Sequence, residues 1–288
     1  MIRFGPAGNS ESFYNEGYKN THEAFKWLEA MGLDAYEYQC GRGVFLKQDT
    51  AEKIGDEAKA HGVALSLHAP YYINLAGTDN EKLEKSLAHI EKSIEAAQWM
   101  GARRVVVHPG GTGKDSRHAA MKRAMRVFEE IMKSMPGSGM LSPELMGKIN
   151  QLGNLDEIIE FCSVDDAIIP TLDFGHLNSR GNGSLNSSEE FERVILRLAD
   201  GIGWDRTRLL HVHFSRIEYT AKGGEKRHWT MADKQYGPEF DHFIPILIKH
   251  RMEPVIISES SGTMAEDAAL MKRRYFDAVD RNKRAKSE

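Results

Sequence analysis

Seven residues able to bind a metal stand where short apolar runs give way to loops. In order they are His68 in SLHAP, His108 in VVVHPG, Glu144 in SPELMGK, Asp173 and His176 in TLDFGH, His213 in HVHFS and Glu259 in ISESSG. Lysine and arginine are missing from these positions, while histidine, aspartate and glutamate recur. Four imidazoles and three carboxylates can supply two or three cations with four- or five-coordinate shells. The imidazole-rich mixture favours zinc over magnesium, which prefers carboxylate and water; manganese and iron are the other ions such donors accept. His211 and His213 share strand parity, so both point inward. His213, nearer the mouth, is the expected ligand, and His211 belongs to the interior. His228, in EKRHWT, is an eighth candidate carried on a loop.

Scattered ligands converge only if the strand ends share one face. The strand candidates are Ile2–Phe4, Ala35–Tyr38, Ala64–His68, Arg104–His108, Met140–Glu144, Ile168–Asp173, Leu209–His213 and Val255–Ser258. Between them run amphipathic stretches with apolar residues three and four apart, the mark of a helix face. Leu83, Leu87, Ile90, Ile94 and Ala97 form one such stripe; Phe240, Phe243, Ile244 and Leu247 form another. Eight strands alternating with eight helices predict a (β/α)8 TIM barrel, α/β in class, whose strand C-termini meet on one face. No linker breaks the chain, so residues 1–280 are expected to form one catalytic barrel domain, with 281–288 a frayed tail.

Composition agrees. The chain has 288 residues, 41% hydrophobic and 28% charged, with a formal net charge of -4, so no global positive field advertises nucleic acid. A local basic rim can serve the same end. Two cysteines are too few for a disulfide framework, and neither a signal-peptide core nor an apolar run of membrane length occurs. A cytoplasmic monomer is expected. GGTGK at 110–114 fails the P-loop pattern, because His108 stands at the first glycine and Asp115 follows Lys114. No Ser–His–Asp or Cys–His arrangement suggests a nucleophile.

SLHAPYYINLA, VVVHPGG, the E-x-x-G-K at 144–148, LDFGH and ISES together resemble the endonuclease IV family, apurinic/apyrimidinic endonucleases on a xylose isomerase-like TIM barrel. The resemblance runs from residue 1 to about residue 275. It implies hydrolysis of the DNA backbone 5′ to abasic sites with a cluster of three zinc ions, as in base excision repair, and abasic duplex DNA as partner. By position, His68 and His108 would bind one zinc and Glu144, the residue assigned to catalysis, would bridge to a second. Asp173, His213 and Glu259 would complete the second site; His176 and His228 would hold the third. Tyr71 matches an aromatic near the DNA, and Arg42, Arg180 and Arg227 are further expected DNA contacts.

The resemblance breaks at one motif. The family's D-R-H, whose Asp and His both bind the third metal, is here Lys226-Arg227-His228. An ammonium cannot ligate a cation and repels one nearby. Two complete metal sites are therefore expected, with the third weak, absent, or rescued by Glu225 or Asp233. The competing reading is a divalent-metal sugar isomerase or epimerase on the same barrel, since one barrel hosts many reactions.

Overall fold

A computed structural model describes residues 1–285 of the chain. Eight parallel strands close a barrel: β1 (Arg3–Pro6), β2 (Ala35–Gln39), β3 (Ala64–His68), β4 (Val105–Val107), β5 (Leu141–Pro143), β6 (Thr171–Asp173), β7 (His211–Phe214) and β10 (Val255–Ser258). They form two parallel ladders, β1-β10-β7-β6 and β2-β3-β4-β5. Parallel bridges Ala7–Glu37 and Glu144–Thr171 close the two seams. The result is the expected TIM barrel, built from runs such as Val105–Val107 that are buried throughout.

The strand candidates were right in place. Ala64–His68 and Val255–Ser258 coincide with the observed strands; Ile2–Phe4, Ala35–Tyr38 and Leu209–His213 end short of theirs, and Arg104–His108, Met140–Glu144 and Ile168–Asp173 were too long. Ser138–Met140 is a 3-10 turn, and β5 ends at Pro143, which has no N–H to continue a ladder. The helical stripes cover the outside. Asn80–Met100 starts at the Asp79 N-cap, which accepts from Lys82 N–H, and stops at Gly101 in the left-handed region. Its Ile90, Ile94 and Ala97 are buried against the barrel, with Leu83 and Leu87 partly covered. The 240–247 stripe is divided: Phe240–His242 is a 3-10 turn, and a helix begins only at Ile244. Pro245 explains the break, being tolerated only in a first helical turn. Residues 281–285 continue the helix Met264–Ala285 instead of fraying; the rest of the expected tail, 286–288, lies outside the described residues.

One element was not anticipated. After β7 the chain forms an antiparallel hairpin, β8 (Arg216–Thr220) and β9 (Gly224–Trp229), rather than a simple loop. It stands over the mouth of the barrel and carries His228. Beneath the mouth the barrel interior is polar, with Glu37, Ser66, Ser142, Thr171, His211 and His213 all buried. Among the described residues no helix is long and apolar enough to cross a membrane.

Closing β1 onto β2 requires the absence of a side chain at residue 5. A Cβ on Gly5 would lie 1.8 Å from the Ala35 carbonyl oxygen. Gly5→Ala is expected to destabilise the fold by at least roughly 1–3 kcal/mol, the usual cost of overpacking, and to lower Tm by several degrees. Gly77→Ala, whose Cβ would meet its nearest neighbour at 3.5 Å, should leave Tm nearly unchanged. Equal melting of the two variants would contradict this account of the seam.

Candidate metal centre

Glu144 sits at the centre of the mouth, buried, with its two oxygens facing different histidines. Oε2 lies 3.2 Å from His68 Nε2 and 2.9 Å from His108 Nε2. Oε1 lies 3.2 Å from His213 Nδ1 and 3.4 Å from His176 Nδ1. Burial alone would raise its pKa, but the His108 and His213 charges outweigh burial and hold the carboxyl well below its usual range.

The histidines around it are held from behind. His68 Nδ1 donates to the Ala69 carbonyl at 2.7 Å, His108 Nδ1 to Tyr71 O at 3.1 Å and His176 Nδ1 to Leu145 O at 2.9 Å. A carbonyl only accepts, so each Nδ1 carries the hydrogen and each Nε2 is the nitrogen turned to the cluster. His228 is anchored by Nδ1 to Ser215 Oγ at 2.9 Å. His213 is reversed: its Nε2 lies 3.0 Å from Glu37 Oε1, and its Nδ1 faces Glu144 and, at 3.4 Å, Glu259. Anchoring one ring nitrogen to fix the direction of the other is the usual support for a metal-ligating histidine.

Asp173 and His176 are three apart because Asp173 is the N-cap of the helix Phe174–Arg180, its Oδ1 accepting from His176 N–H at 2.7 Å. The offset thus enters a helix rather than a loop. The two side chains serve adjoining groups, Asp173 with Glu144, His213 and Glu259, and His176 with Glu225 and His228; Asp173 Oδ2 lies 3.4 Å from His176 Nδ1. That Oδ2 is buried and has no hydrogen-bond partner among the described residues. A buried carboxylate oxygen without a partner is costly, and a cation would supply the missing one. Burial pushes the Asp173 and Glu259 pKa values up. Burial would lower His68, but Glu144, Glu37 and Glu259 raise it to about 9; carboxylates likewise carry His176 and His213 well above the ordinary value against burial. So many buried carboxylates demand positive charge, from protons or from cations.

Ligand-type atoms within 4.8 Å of one another form three groups here: His68, His108 and Glu144; Glu144, Asp173, His213 and Glu259; and His176, Glu225 and His228. The third contains Glu225, one of the two acids expected to stand in for the missing Asp at position 226. Glu218 and Tyr219 are adjacent on β8, but their partners Arg227 and Glu225 are two apart on β9. Lys226 is therefore the extra residue of a β-bulge, which shifts side-chain parity by one. Glu225 consequently joins the His228 face, 3.4 Å from His176 Nε2, while the half-exposed Lys226 turns away and pairs with Glu218. Asp233 is not involved; it caps Thr230 N and Oγ1.

Around the centre lies a cavity of about 270 Å3 lined by Gln39, Gly41, Tyr71, Met146, Lys148 and Gln151. Tyr71 is 58% exposed there, and Arg42 is exposed in the neighbouring loop, its carbonyl accepting from Tyr72 OH at 3.3 Å. Arg227 is exposed on the hairpin with its guanidinium 4.3 Å above the Trp229 ring. Arg180 is committed to the loop instead of the rim: its Nη1 donates to Met146 O at 2.9 Å and Lys148 O at 2.8 Å, and its Nη2 to Gln151 O at 3.1 Å, so both terminal nitrogens hold the loop 146–151. Sequence reasoning also missed Glu37. Its signal was a lone acid at an inward position of the strand AYEYQ.

Residues 25–274 match the family model described as a xylose isomerase-like TIM barrel, and the chain belongs to that family. It is 30% identical over 278 residues to an uncharacterized protein of Methanocaldococcus jannaschii, covering 96% of this chain and 97% of that one. It is 29% identical over 176 residues to a probable endonuclease 4 of Staphylococcus saprophyticus, covering 59% of this chain and 58% of that one. Among solved structures, a D-tagatose 3-epimerase-like protein superposes with TM-score 0.74 at 18% identity, over 98% of this chain and 99% of its own. Endonuclease IV of Thermus thermophilus superposes with TM-score 0.69 at 18% identity, over 97% and 99%. At those identities the two structures speak for the barrel alone.

The Arg180 clamp carries a consequence for the third group. The loop it holds bridges to the hairpin, with Lys148 opposite Gly224 and Glu225 N–H donating to Gly147 O at 3.3 Å. A Cβ on Gly147 would lie 2.7 Å from Glu225 Cβ, so acid and loop are in direct contact. Arg180→Ala removes hydrogen bonds from a charged donor, each worth about 1.5–3 kcal/mol. Amide exchange at 147–151 and at Glu225 should accelerate roughly tenfold to a hundredfold, with the barrel strands unchanged. Unchanged exchange in the loop and hairpin would rule out the clamp.

Proposed function

We propose that the chain is a metal-dependent phosphodiesterase that cleaves duplex DNA 5′ to abasic sites. The observation that carries this reading is the orientation of the histidines: four rings hydrogen-bonded through Nδ1, and His213 with Nε2 3.0 Å from Glu37, turn the other nitrogen toward carboxylates in three adjoining groups. Ligands for a single cation are already complete in Glu144, Asp173, His213 and Glu259. A sugar isomerase or epimerase, needing one or two ions, gives no reason for the remaining His68, His108, His176, Glu225 and His228. The similarity to probable endonuclease 4 proteins supports the same choice.

The residues fit zinc, by their imidazole content and by the partnerless Asp173 Oδ2. His68 and His108 would hold one ion, Glu144 would bridge it to a second completed by Asp173, His213 and Glu259, and His176, Glu225 and His228 would hold a third. Bound divalent cations would supply Lewis-acid chemistry: charge neutralisation at the phosphate, acidification of water and stabilisation of the leaving 3′ oxygen. The protein's own part is geometric. Carbonyls, Ser215 and Glu37 fix the rings, while Arg180 and the hairpin bulge place Glu225. The exposed Tyr71 lines the cavity, and Arg42 in the neighbouring loop and Arg227 on the hairpin would give a net-negative chain a local basic surface for a backbone and an unstacked sugar. A missing base lowers the cost of extruding the nucleotide, which accounts for a preference for abasic sites.

Two measurements test this reading. Metal-replete protein should nick an abasic duplex on the 5′ side of the lesion, leaving a 3′ hydroxyl, and prolonged chelation should abolish the cut; undamaged duplex and a panel of keto-sugars should be left unchanged. Interconversion of a sugar with abasic DNA left whole would hand the site to the isomerase reading, for which the Glu144–Asp173–His213–Glu259 group suffices. Elemental analysis should find three zinc ions per chain in the wild type, two in Glu225→Ala and one in Glu144→Ala. Loss of only one ion in Glu144→Ala would show that this residue does not bridge.

A further inference from the structure

Below the three groups, Glu37, His211 and His213 form a fourth set of ligand-type side chains, all fully buried within the barrel. Glu37 lies on β2 at an inward position and is surrounded by donors. Its Oε2 accepts from Ser66 Oγ at 2.9 Å and meets His211 Nε2 at 2.7 Å; its Oε1 accepts from Gln39 Nε2 at 3.1 Å and lies 3.0 Å from His213 Nε2. The last contact is within ion-pair reach but off the line of a well-formed hydrogen bond. Both Glu37 oxygens already accept hydrogen bonds, from Ser66 and Gln39, and Oε2 also lies at hydrogen-bond distance from His211 Nε2, so the acid is satisfied without a cation. The set is therefore a support.

The need for that support follows from strand geometry. His68, His108 and His176 reach carbonyls of Ala69, Tyr71 and Leu145, which lie just past strand ends where the ladder no longer uses them. His213 is inside its strand, paired with Asp173 on one side and Ile257 on the other. Carbonyls there are spent on the ladder, so only a side chain can serve as acceptor behind the ring. We propose that Glu37 is a positioning residue: it fixes the His213 ring with Nε2 down toward the barrel interior and Nδ1 up toward Glu144 and Glu259. Glu37 thereby sets the affinity of the central cation without touching it. This inference rests on the metal reading of the site above.

Two readouts test it without any activity assay. In the zinc-loaded wild type, with 15N-labelled histidine, NMR should find His213 protonated at Nε2 and His68, His108 and His176 protonated at Nδ1. A His213 proton on Nδ1 would overturn the proposal. Glu37→Gln keeps the shape but sets an amide N–H2 against one of two ring N–H groups. Chelator competition should show the central cation held tenfold to a hundredfold more weakly in Glu37→Gln, the range typical of lost support behind a ligand. In a His213→Ala background the same substitution should cause no further loss. Unchanged affinity, or an equal loss in both backgrounds, would make Glu37 a packing residue only. Should Glu37→Gln fail to fold, the wild-type tautomers still decide. Wild-type protein that takes up no divalent cation would overturn the metal reading itself, an outcome distinct from a Glu37→Gln that binds normally.

Discussion

The structure depends on keeping the Glu144 carboxylate charged and dry at the centre of a barrel mouth. Each oxygen meets two imidazole nitrogens, and among the described residues no lysine or arginine pairs with it. Burial of such a group is expensive unless positive charge surrounds it. Histidines answer that demand from β3, β4 and β7, from the helix after β6 and from the hairpin, while the further carboxylates, Asp173 as a helix N-cap and Glu259 after β10, add to it. A closed parallel barrel suits the task, because its strand C-termini deliver side chains from distant parts of the chain to one small volume.

Direction is controlled by groups that never face the cluster. Backbone carbonyls just beyond strand ends do this for three rings, a serine hydroxyl for a fourth, and an interior carboxylate for the one ring that lies within a strand. The same economy governs the third group, where no residue of the usual type stands at position 226. A bulge rotates Glu225 into place, Gly147 leaves room beneath it, and two arginines hold the loop under Gly147. Arg180 grips its carbonyls, and Arg117 donates to Ile149 O and Gln151 O while pairing with Glu157 at 2.6 Å.

The seven candidate ligands of the mouth were legible because they follow apolar runs, and a (β/α)8 pattern allows only one place for such ends to meet. The hairpin was not. RIEYT and GEKRHW are charged and short, and a bulge hides their alternation, so the sequence left Glu225 and Asp233 as equal alternatives where the structure puts only Glu225 on the His228 face. Arg180 shows the converse error: an arginine in a rim loop is a natural phosphate contact until its donors are counted against backbone carbonyls. Glu37 could have been found, since an acid at inward parity in a barrel strand must have partners; those partners, His211 and Ser66, come from strands far away in sequence.

The central claim is that these side chains build three adjoining cation sites rather than one. Anomalous diffraction above and below the zinc edge, on crystals of protein purified without chelator, tests it most directly. The account predicts three peaks: one between His68, His108 and Glu144, one between Glu144, Asp173, His213 and Glu259, and one between His176, Glu225 and His228. A single peak confined to the Glu144–Asp173–His213–Glu259 group, at full zinc saturation, would contradict it.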